Sequence, residues 1–442
     1  MNKTFTLKSH KSKCLRGIIS VPPDKSISQR ALILSSICLG NSRIYNILES
    51  EDVLNTMKSL QKLGLKIKKR TLFYEVYGNG GLFKEPDNNL NFGNSGTGLR
   101  LMTGLLSTRN INACLTGDSS LSQRPMLRVI NPLKKMNVKI EHNNGLLPIK
   151  ILSNSFFSYP IKFTLKIGSA QVKSALLLAA TTLQGTTEIL EEKPSRDHTE
   201  RMLTFLGADI RIQKKKKTNL IKLNGPSILK ANDFFVPGDI SSAAFLIVAT
   251  ILTKNSKITI KNVGINNFRT GLLDVLKKMG ANINIQNKKT INSEMVADIE
   301  VSYSKLKAVK LDETFSTRLI DEYPILLVAA SFAKGISVFK GLEELKFKES
   351  NRIESMQKAL KEAGVNIKVK NNIVNITGNE SQNGGNFVLT NMDHRIAMSM
   401  LVFGLVSKKP ILVDEMKMIN TSFPKFKDCL KKIGANIEVV SK

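Results

Sequence analysis

The chain has 442 residues, 42% of them apolar and 23% charged, with 66 Lys and Arg against 36 Asp and Glu for a net charge of +30. At roughly 150 residues per domain, this length predicts two or three domains, and an apolar content this high without a long polar tract excludes an intrinsically disordered chain. No apolar run approaches the roughly 18 residues that cross a bilayer, and no N-terminal run resembles a signal peptide, so a soluble, cytoplasmic protein is expected.

Cys14, Cys38, Cys114 and Cys429 are scattered, as are the four histidines. The spacing excludes a C-x-x-C zinc site and predicts a reducing compartment with no bound metal. The lysine excess has three readings: nucleic-acid binding, an anionic small-molecule substrate, or compositional bias. Lysine runs such as "QKKKKTN" at 213–219 carry no interleaved aromatics, and the chain has no Trp. Single-strand binding normally stacks bases on aromatic rings, so no nucleic-acid partner is expected. Bias together with an anion-binding cleft accounts best for the charge, and such a cleft would steer an anionic substrate.

In chain order, six apolar helices are predicted, each opening on a polar cluster: "DKSISQRALILSSICLG" from Asp24, "GNSGTGLRLMTGLL" from Gly93, "GSAQVKSALLLAATTLQG" from Gly168, "GDISSAAFLIVATIL" from Gly238, "DEYPILLVAASFAKG" from Asp321 and "DHRIAMSMLVFGLV" from Asp393. The Ser, Asp, Gly and Pro at these openings are helix-start chemistries. Most of the helices are followed by a short β-branched strand.

A second set of six interleaves with the first, at 59–69, 132–141, 202–212, 275–285, 359–369 and 429–439. Each is the end of an amphipathic helix, then Gly (Asn137 in one copy), then an alternating strand. Gly and Asn both suit a left-handed helix C′ position. The fold class is therefore α/β, with six repeats, three to a domain, each domain closed around three nearly all-apolar helices. Parallel packing within a domain sets three positive helix ends together, and two facing domains would aim six at one cleft.

The words at those helix starts, "VPPDKSISQR", "GNSGTGLR", "GDSSLSQRPM", "GSAQVKSALLLAA", "PGDISSAAF", "DEYPIL", "KESNRI" and "DHRIAM", run in order across the chain. Together they resemble the enolpyruvyl transferase family, in its 5-enolpyruvylshikimate-3-phosphate synthase branch. The resemblance implies a two-domain inside-out α/β barrel of six βαβαββ repeats with a cleft between domains. It places one domain at 1–22 plus 238–442 and the other at 23–237, with hinge crossings near 22–23 and 236–239. It implies a monomer whose partners are two small molecules, shikimate 3-phosphate and phosphoenolpyruvate (PEP), with no metal or redox cofactor. The activity it implies is transfer of the enolpyruvyl group of PEP to the 5-hydroxyl of shikimate 3-phosphate.

Residue by residue, the resemblance puts Lys25 against both substrates. Ser26, Arg30, Ser169, Ala170 through its backbone, Gln171, Ser195, Asp321 and Lys348 fall to shikimate 3-phosphate. Asn94, Gly96, Arg124, Gln171, Arg352 and Arg395 fall to PEP, with Ser95 beside them. Asp321 resembles the carboxylate that takes the hydroxyl proton, and Glu349 the one that moves the PEP methylene proton. Their roles could be exchanged, or shared with Lys25, and Glu322 is the neighbouring candidate to Asp321. Read alone, Asp321 is equally a helix cap, Arg395 a surface charge, and Arg196 either a phosphate contact or the start of a helix.

The chain departs from the family pattern at Ala170, Lys346, Asn351 and Thr421, so one basic PEP contact is expected to be missing or supplied by Lys417 or Lys425. UDP-N-acetylglucosamine enolpyruvyl transferases share the fold, but they usually carry Lys-Asn at the first helix start and a loop cysteine near the position of Arg124. Here the pair is Lys25–Ser26, and Cys114 lies ten residues upstream in a predicted strand.

Overall fold

A computed structural model describes residues 5–153, 157–215 and 217–441, so Lys216 of the 213–219 run lies outside the described residues. The chain forms two compact units, Met1–Pro22 with Pro237–Lys289 and Met295–Lys442, and Pro23–Val236 with Thr290–Glu294. The resemblance implies that 238–442 lies whole in the first unit. The turn between strands Asn282–Ile291 and Glu294–Ser302 instead belongs with the second, where the Glu294 carboxylate lies 2.6 Å from Nδ1 of His198.

Among the described residues six sheets share one plan. The copy spanning residues 162–225 shows it without interruption. Strand Lys162–Leu165 leads through helix Ala170–Ala180 to a parallel neighbour, Gly185–Glu191. The amphipathic helix His198–Phe205 then leads to the antiparallel hairpin of Asp209–Lys214 and Asn219–Gly225. Three such repeats build each unit, with the apolar helix enclosed and the sheets turned outward, which is the inside-out α/β arrangement.

Three repeats close across long stretches of chain. Strand Arg16–Ser20 pairs in parallel with Lys257–Gly264, so its crossover helix is Ile240–Leu252 and the whole segment 23–236 is inserted between strand and helix. Within that segment, Cys38–Tyr45 takes its parallel partners from Leu229–Lys230 and Phe234–Phe235 at the far end. Strand Phe5–Ser9 completes the last repeat, between Ile411–Val413 and Ile437–Ser441.

The enclosed helices explain the apolar stretches. Every residue of Ile240–Leu252 and of Tyr323–Ser331 is buried, and in His394–Gly404 every residue but Arg395. Burying each large apolar side chain there contributes roughly 1.5–3 kcal/mol. In the second unit helices Gly96–Ser107 and Ala170–Ala180 meet backbone to backbone at Gly104, where a Cβ would stand 2.2 Å from the Ala175 carbonyl oxygen. The residues predicted at helix C′ positions, Gly64, Asn137, Gly207, Gly280, Gly364 and Gly434, all have positive φ.

One carboxylate secures an irregular sheet. The pairing of Lys257–Gly264 with Glu294–Ser302 shifts register between Ile260 and Val263, and Asn262 has φ 52°. Asp298 accepts there from Lys261 Nζ, from Asn287 Nδ2 at 2.8 Å and from the Asn262 amide at 2.9 Å. Burial pushes the Asp298 carboxyl up, but these donors outweigh it and hold the pKa at about 2. The folded value lies below the unfolded one, so the stabilisation is present above pH ~4 and is lost as pH falls through about 2. Asp298→Asn is expected to cost about 2 kcal/mol at pH 7 and almost nothing at pH 2. Urea unfolding at both pH values checks this, and an equal cost at both refutes it.

Candidate active site

In each unit the polar helix starts are joined to one another by hydrogen bonds. In the second unit helix Lys25–Ser36 is capped by Asp24, whose carboxylate accepts from the Ile27 amide at 2.9 Å. A lysine in the first turn opposes the helix dipole unless an anion is near. The Asp52 carboxylate supplies one, 2.9 Å from Lys25 Nζ. Beside it Gln29 Nε2 donates to Ser95 Oγ at 2.6 Å, tying this helix start to that of Gly96–Ser107. Arg30 is buried, with Nε on Thr199 Oγ1 (2.8 Å), Nη1 on the Ser26 carbonyl (3.1 Å) and Nη2 on Ser174 Oγ (3.0 Å).

Gln171 has both ends of its amide engaged: Oε1 accepts from Arg100 Nη1 at 2.9 Å, and Nε2 donates to Thr97 Oγ1 at 2.8 Å. Ser169 caps this third helix and Ala170 is its first residue. Arg124 Nη2 donates to Asn94 Oδ1 and, at 3.2 Å, to Ser120 Oγ, while Asn94 Nδ2 donates to Asp118 at 2.9 Å. Gly96 lies beneath two of these arginines, and a Cβ on it would stand 2.7 Å from Arg100 Nη1 and 3.3 Å from Arg124 Nη1. Ser195 is buried, with its hydroxyl on Glu191 at 2.5 Å.

In the first unit the arrangement centres on Arg352, only 2% exposed at the start of helix Arg352–Glu362. Its Nε donates to Asp393 Oδ2 at 2.8 Å and its Nη2 to Glu349 at 2.5 Å, while Nη1 lies 3.6 Å from Asp321 Oδ1. Burial alone would favour loss of the Arg352 charge, but Asp393, Glu349 and Asp321 outweigh it and push its pKa up. Among the described residues Arg352 Nη1 is buried with no hydrogen-bond partner. Lys348 Nζ approaches Asp321 Oδ1 at 3.5 Å, and Arg395 Nη1 donates to the Asp321 carbonyl at 2.8 Å. Asp321 does not serve as the helix cap. The cap position of Tyr323–Ser331 is Glu322, which is 1% exposed and accepts from the Ser241 hydroxyl.

The positions that depart from the family pattern are structurally ordinary. Lys346, Lys417 and Lys425 are exposed, Asn351 caps the Arg352 helix by accepting from the Glu354 amide, and Thr421 Oγ1 donates to the Met418 carbonyl at 2.7 Å. Sequence reasoning missed Asp52, Arg100, Asp239 with its partner Arg269 (2.9 Å), and Lys173. Asp52 carries no separate signal, being one of two acids in an ordinary helical first turn. Lys173 does carry one, as a lone charge in an otherwise apolar stretch, "SALLLAA" following it.

Each unit, taken by itself, offers cationic donors that can hold an anion. The second unit presents Lys25, Arg30 and Arg100 in helices that open on its polar clusters, and Arg124 in the turn after helix Ser119–Ser122. The first sets Lys348, Arg352 and Arg395 beside Asp321 and Glu349, the mixture that proton transfer on a bound anion needs.

Comparison with known proteins gives a concordant result. The family model described as EPSP synthase (3-phosphoshikimate 1-carboxyvinyltransferase) matches residues 9–430. The chain is 43% identical over 442 residues to a 3-phosphoshikimate 1-carboxyvinyltransferase of Bartonella quintana, covering 99% of this chain and 100% of that one. It is 45% identical over 420 residues to the enzyme of the same name from Petrotoga mobilis, covering 94% and 96%. A solved EPSP synthase from Acinetobacter baumannii superposes with a TM-score of 0.87 at 36% identity, covering 99% and 100%.

Proposed function

Because the chain belongs to the EPSP synthase family, we propose that its two sets of helix-start residues carry out the transfer of the carboxyvinyl group of PEP to the 5-hydroxyl of shikimate 3-phosphate, with release of phosphate. The hydroxyl oxygen attacks C2 of PEP as the PEP methylene takes up a proton. The adduct then gives up a methyl proton and phosphate to form the enol ether. This is a step of the shikimate pathway, and it is catalysed by proton transfer and by stabilisation of charge at fixed donors.

The observation that carries the residue assignment is Arg352 Nη1, a buried guanidinium donor with no hydrogen-bond partner among the described residues, directed at Asp321. An oxygen of PEP is its natural acceptor. In this reading Arg124, Arg352 and Arg395, with Gln171, Asn94 and Gly96, hold PEP. Ser26, Arg30, Ser169, Ala170, Gln171, Ser195 and Lys348 hold shikimate 3-phosphate. Asp321 takes the hydroxyl proton, Glu349 moves the methylene proton and Lys25 contacts both substrates. The defining experiment is phosphate release that requires both shikimate 3-phosphate and PEP; release with UDP-N-acetylglucosamine as the acceptor overturns the reading.

Two substitutions follow. Lys25→Ala removes the cation held by Asp52, and the KM of each substrate is expected to rise about tenfold or more. Near-normal kinetics would remove Lys25 from the site. Gly96→Ala inserts a methyl against the heads of Arg100 and Arg124. It is expected to weaken a bulkier PEP mimic such as glyphosate more than PEP itself, as compared by inhibition constant and KM. Equal loss of both refutes it. The protein is further proposed to act as a cytoplasmic monomer without a nucleic-acid partner, and sedimentation with and without RNA tests the last two points.

A further inference from the structure

Beneath the second unit's helix starts lies an ionic cluster that the reaction itself does not use. Lys173 and Glu191 are fully buried, and the Glu200 side chain is 2% exposed. Lys173 Nζ spends its donors on Glu191 Oε2 at 2.9 Å, Glu200 Oε1 at 2.6 Å and the Ser195 carbonyl at 3.3 Å. The second oxygen of Glu191 accepts from the Ser195 hydroxyl at 2.5 Å. Ser195 is thus held by its main chain and its side chain, and both anchors lead back to one ammonium.

The members come from three elements. Lys173 is in helix Ala170–Ala180, two residues past Gln171. Glu191 ends strand Gly185–Glu191, and Glu200 is in helix His198–Phe205. Between the last two runs the loop 192–197 that presents Ser195. Through Ser174 Oγ and Thr199 Oγ1, 2.6 Å apart, the same two helices also hold the Arg30 guanidinium.

Stability alone does not account for this arrangement. Burying charges is costly, and replacing a buried ion cluster with apolar side chains of similar volume is often neutral or stabilising. Burial pulls the Lys173 ammonium pKa down, but Glu200 and Glu191 more than restore it, whereas burial raises the Glu200 carboxyl above its ordinary range. Of the two carboxylates on Lys173, Glu191 is the one whose second oxygen holds Ser195.

We propose that Lys173 and Glu191 are positioning residues that fix the Ser195 loop as a preformed cradle for the phosphate of shikimate 3-phosphate. The inference rests on the reading of Ser195 as a contact to that phosphate, made through the main-chain N–H because the hydroxyl proton is spent on Glu191. A loop set in advance does not have to be ordered when the substrate binds, and that ordering would otherwise weaken binding.

The test replaces the cluster while keeping its volume, as Lys173→Met with Glu191→Leu and Glu200→Met, and compares it with Ser195→Ala and the unaltered protein. Thermal unfolding reports the fold, and steady-state kinetics report the KM for each substrate. The expected result is a folded triple variant whose KM for shikimate 3-phosphate rises about tenfold, as in Ser195→Ala, while its KM for PEP stays within about twofold. A purely structural role would shift the melting temperature without separating the two KM values. A folded triple variant with an unchanged KM for shikimate 3-phosphate overturns the inference, and so does a silent Ser195→Ala. Should the triple variant not fold, Glu191→Gln keeps the shape while removing one of the two acceptors, and the same KM split is required of it. Failure of the unaltered protein to use shikimate 3-phosphate at all would instead overturn the proposed activity.

Discussion

Asp321→Ala is expected to lower kcat about a thousandfold while leaving the affinity for shikimate 3-phosphate within about threefold, since a positioned general base contributes roughly 10²–10⁴ to rate. The carboxylate is half-buried, 3.5 Å from Lys348 Nζ and 3.6 Å from Arg352 Nη1. Helix capping does not occupy it, because Glu322 holds that position. What the substitution removes is a carboxylate acceptor set between two cations. Single-turnover rates together with calorimetric binding of shikimate 3-phosphate separate the two quantities. If binding fell and turnover did not, Asp321 would be an orienting residue.

Arg352→Ala is expected to damage both stability and activity. The guanidinium is nearly inaccessible and neutralises Asp393, itself fully buried, as well as Glu349. Removing the cation from such a group costs about 3–5 kcal/mol, because a carboxylate stays behind without its partner. The same change deletes the guanidinium donor assigned to PEP, so kcat/KM for PEP is expected to fall at least about a hundredfold in whatever protein remains folded. Urea unfolding measures the first effect and PEP titration the second. A variant as stable as the parent would show that Asp393 is compensated from elsewhere.

Much of the architecture was legible because it is written locally and six times over. A helix end, a left-handed Gly or Asn and an alternating strand each lie within about a dozen residues, and all six C′ positions have the predicted positive φ. The helix starts were legible for the same reason, each being a short polar word before an apolar run. What was not legible are pairings between residues close in space and distant in sequence. Lys25 meets Asp52 across 27 positions and Arg30 meets Thr199 across 169. Neither partner differs in type from an ordinary helix-start residue. Thr290–Glu294 illustrates the same limit, since nothing in a hairpin turn states which unit it will pack against. Lys173 is the instructive exception, because a single charge inside an enclosed helix implies a buried counter-charge even when its identity cannot be read.

The closure of the last sheet bears on the order in which the protein can assemble during synthesis. Segment 23–236 contains all but five residues of its unit, so its repeats can pack while the ribosome is still making the rest. The opposite holds for Phe5–Ser9. Ser9 pairs with Ile437, so a strand translated before the inserted segment must wait, edges exposed, for one translated after it. Pairing at such a separation carries a large loop-closure cost and is intrinsically slow. An earlier-formed inserted unit shortens the effective loop by holding Pro23 and Val236 in one folded body. Insertion of one unit inside a repeat of the other thus gives the nascent chain a schedule, in which the inserted body forms early and Phe5–Ser9 joins Ile437–Ser441 late.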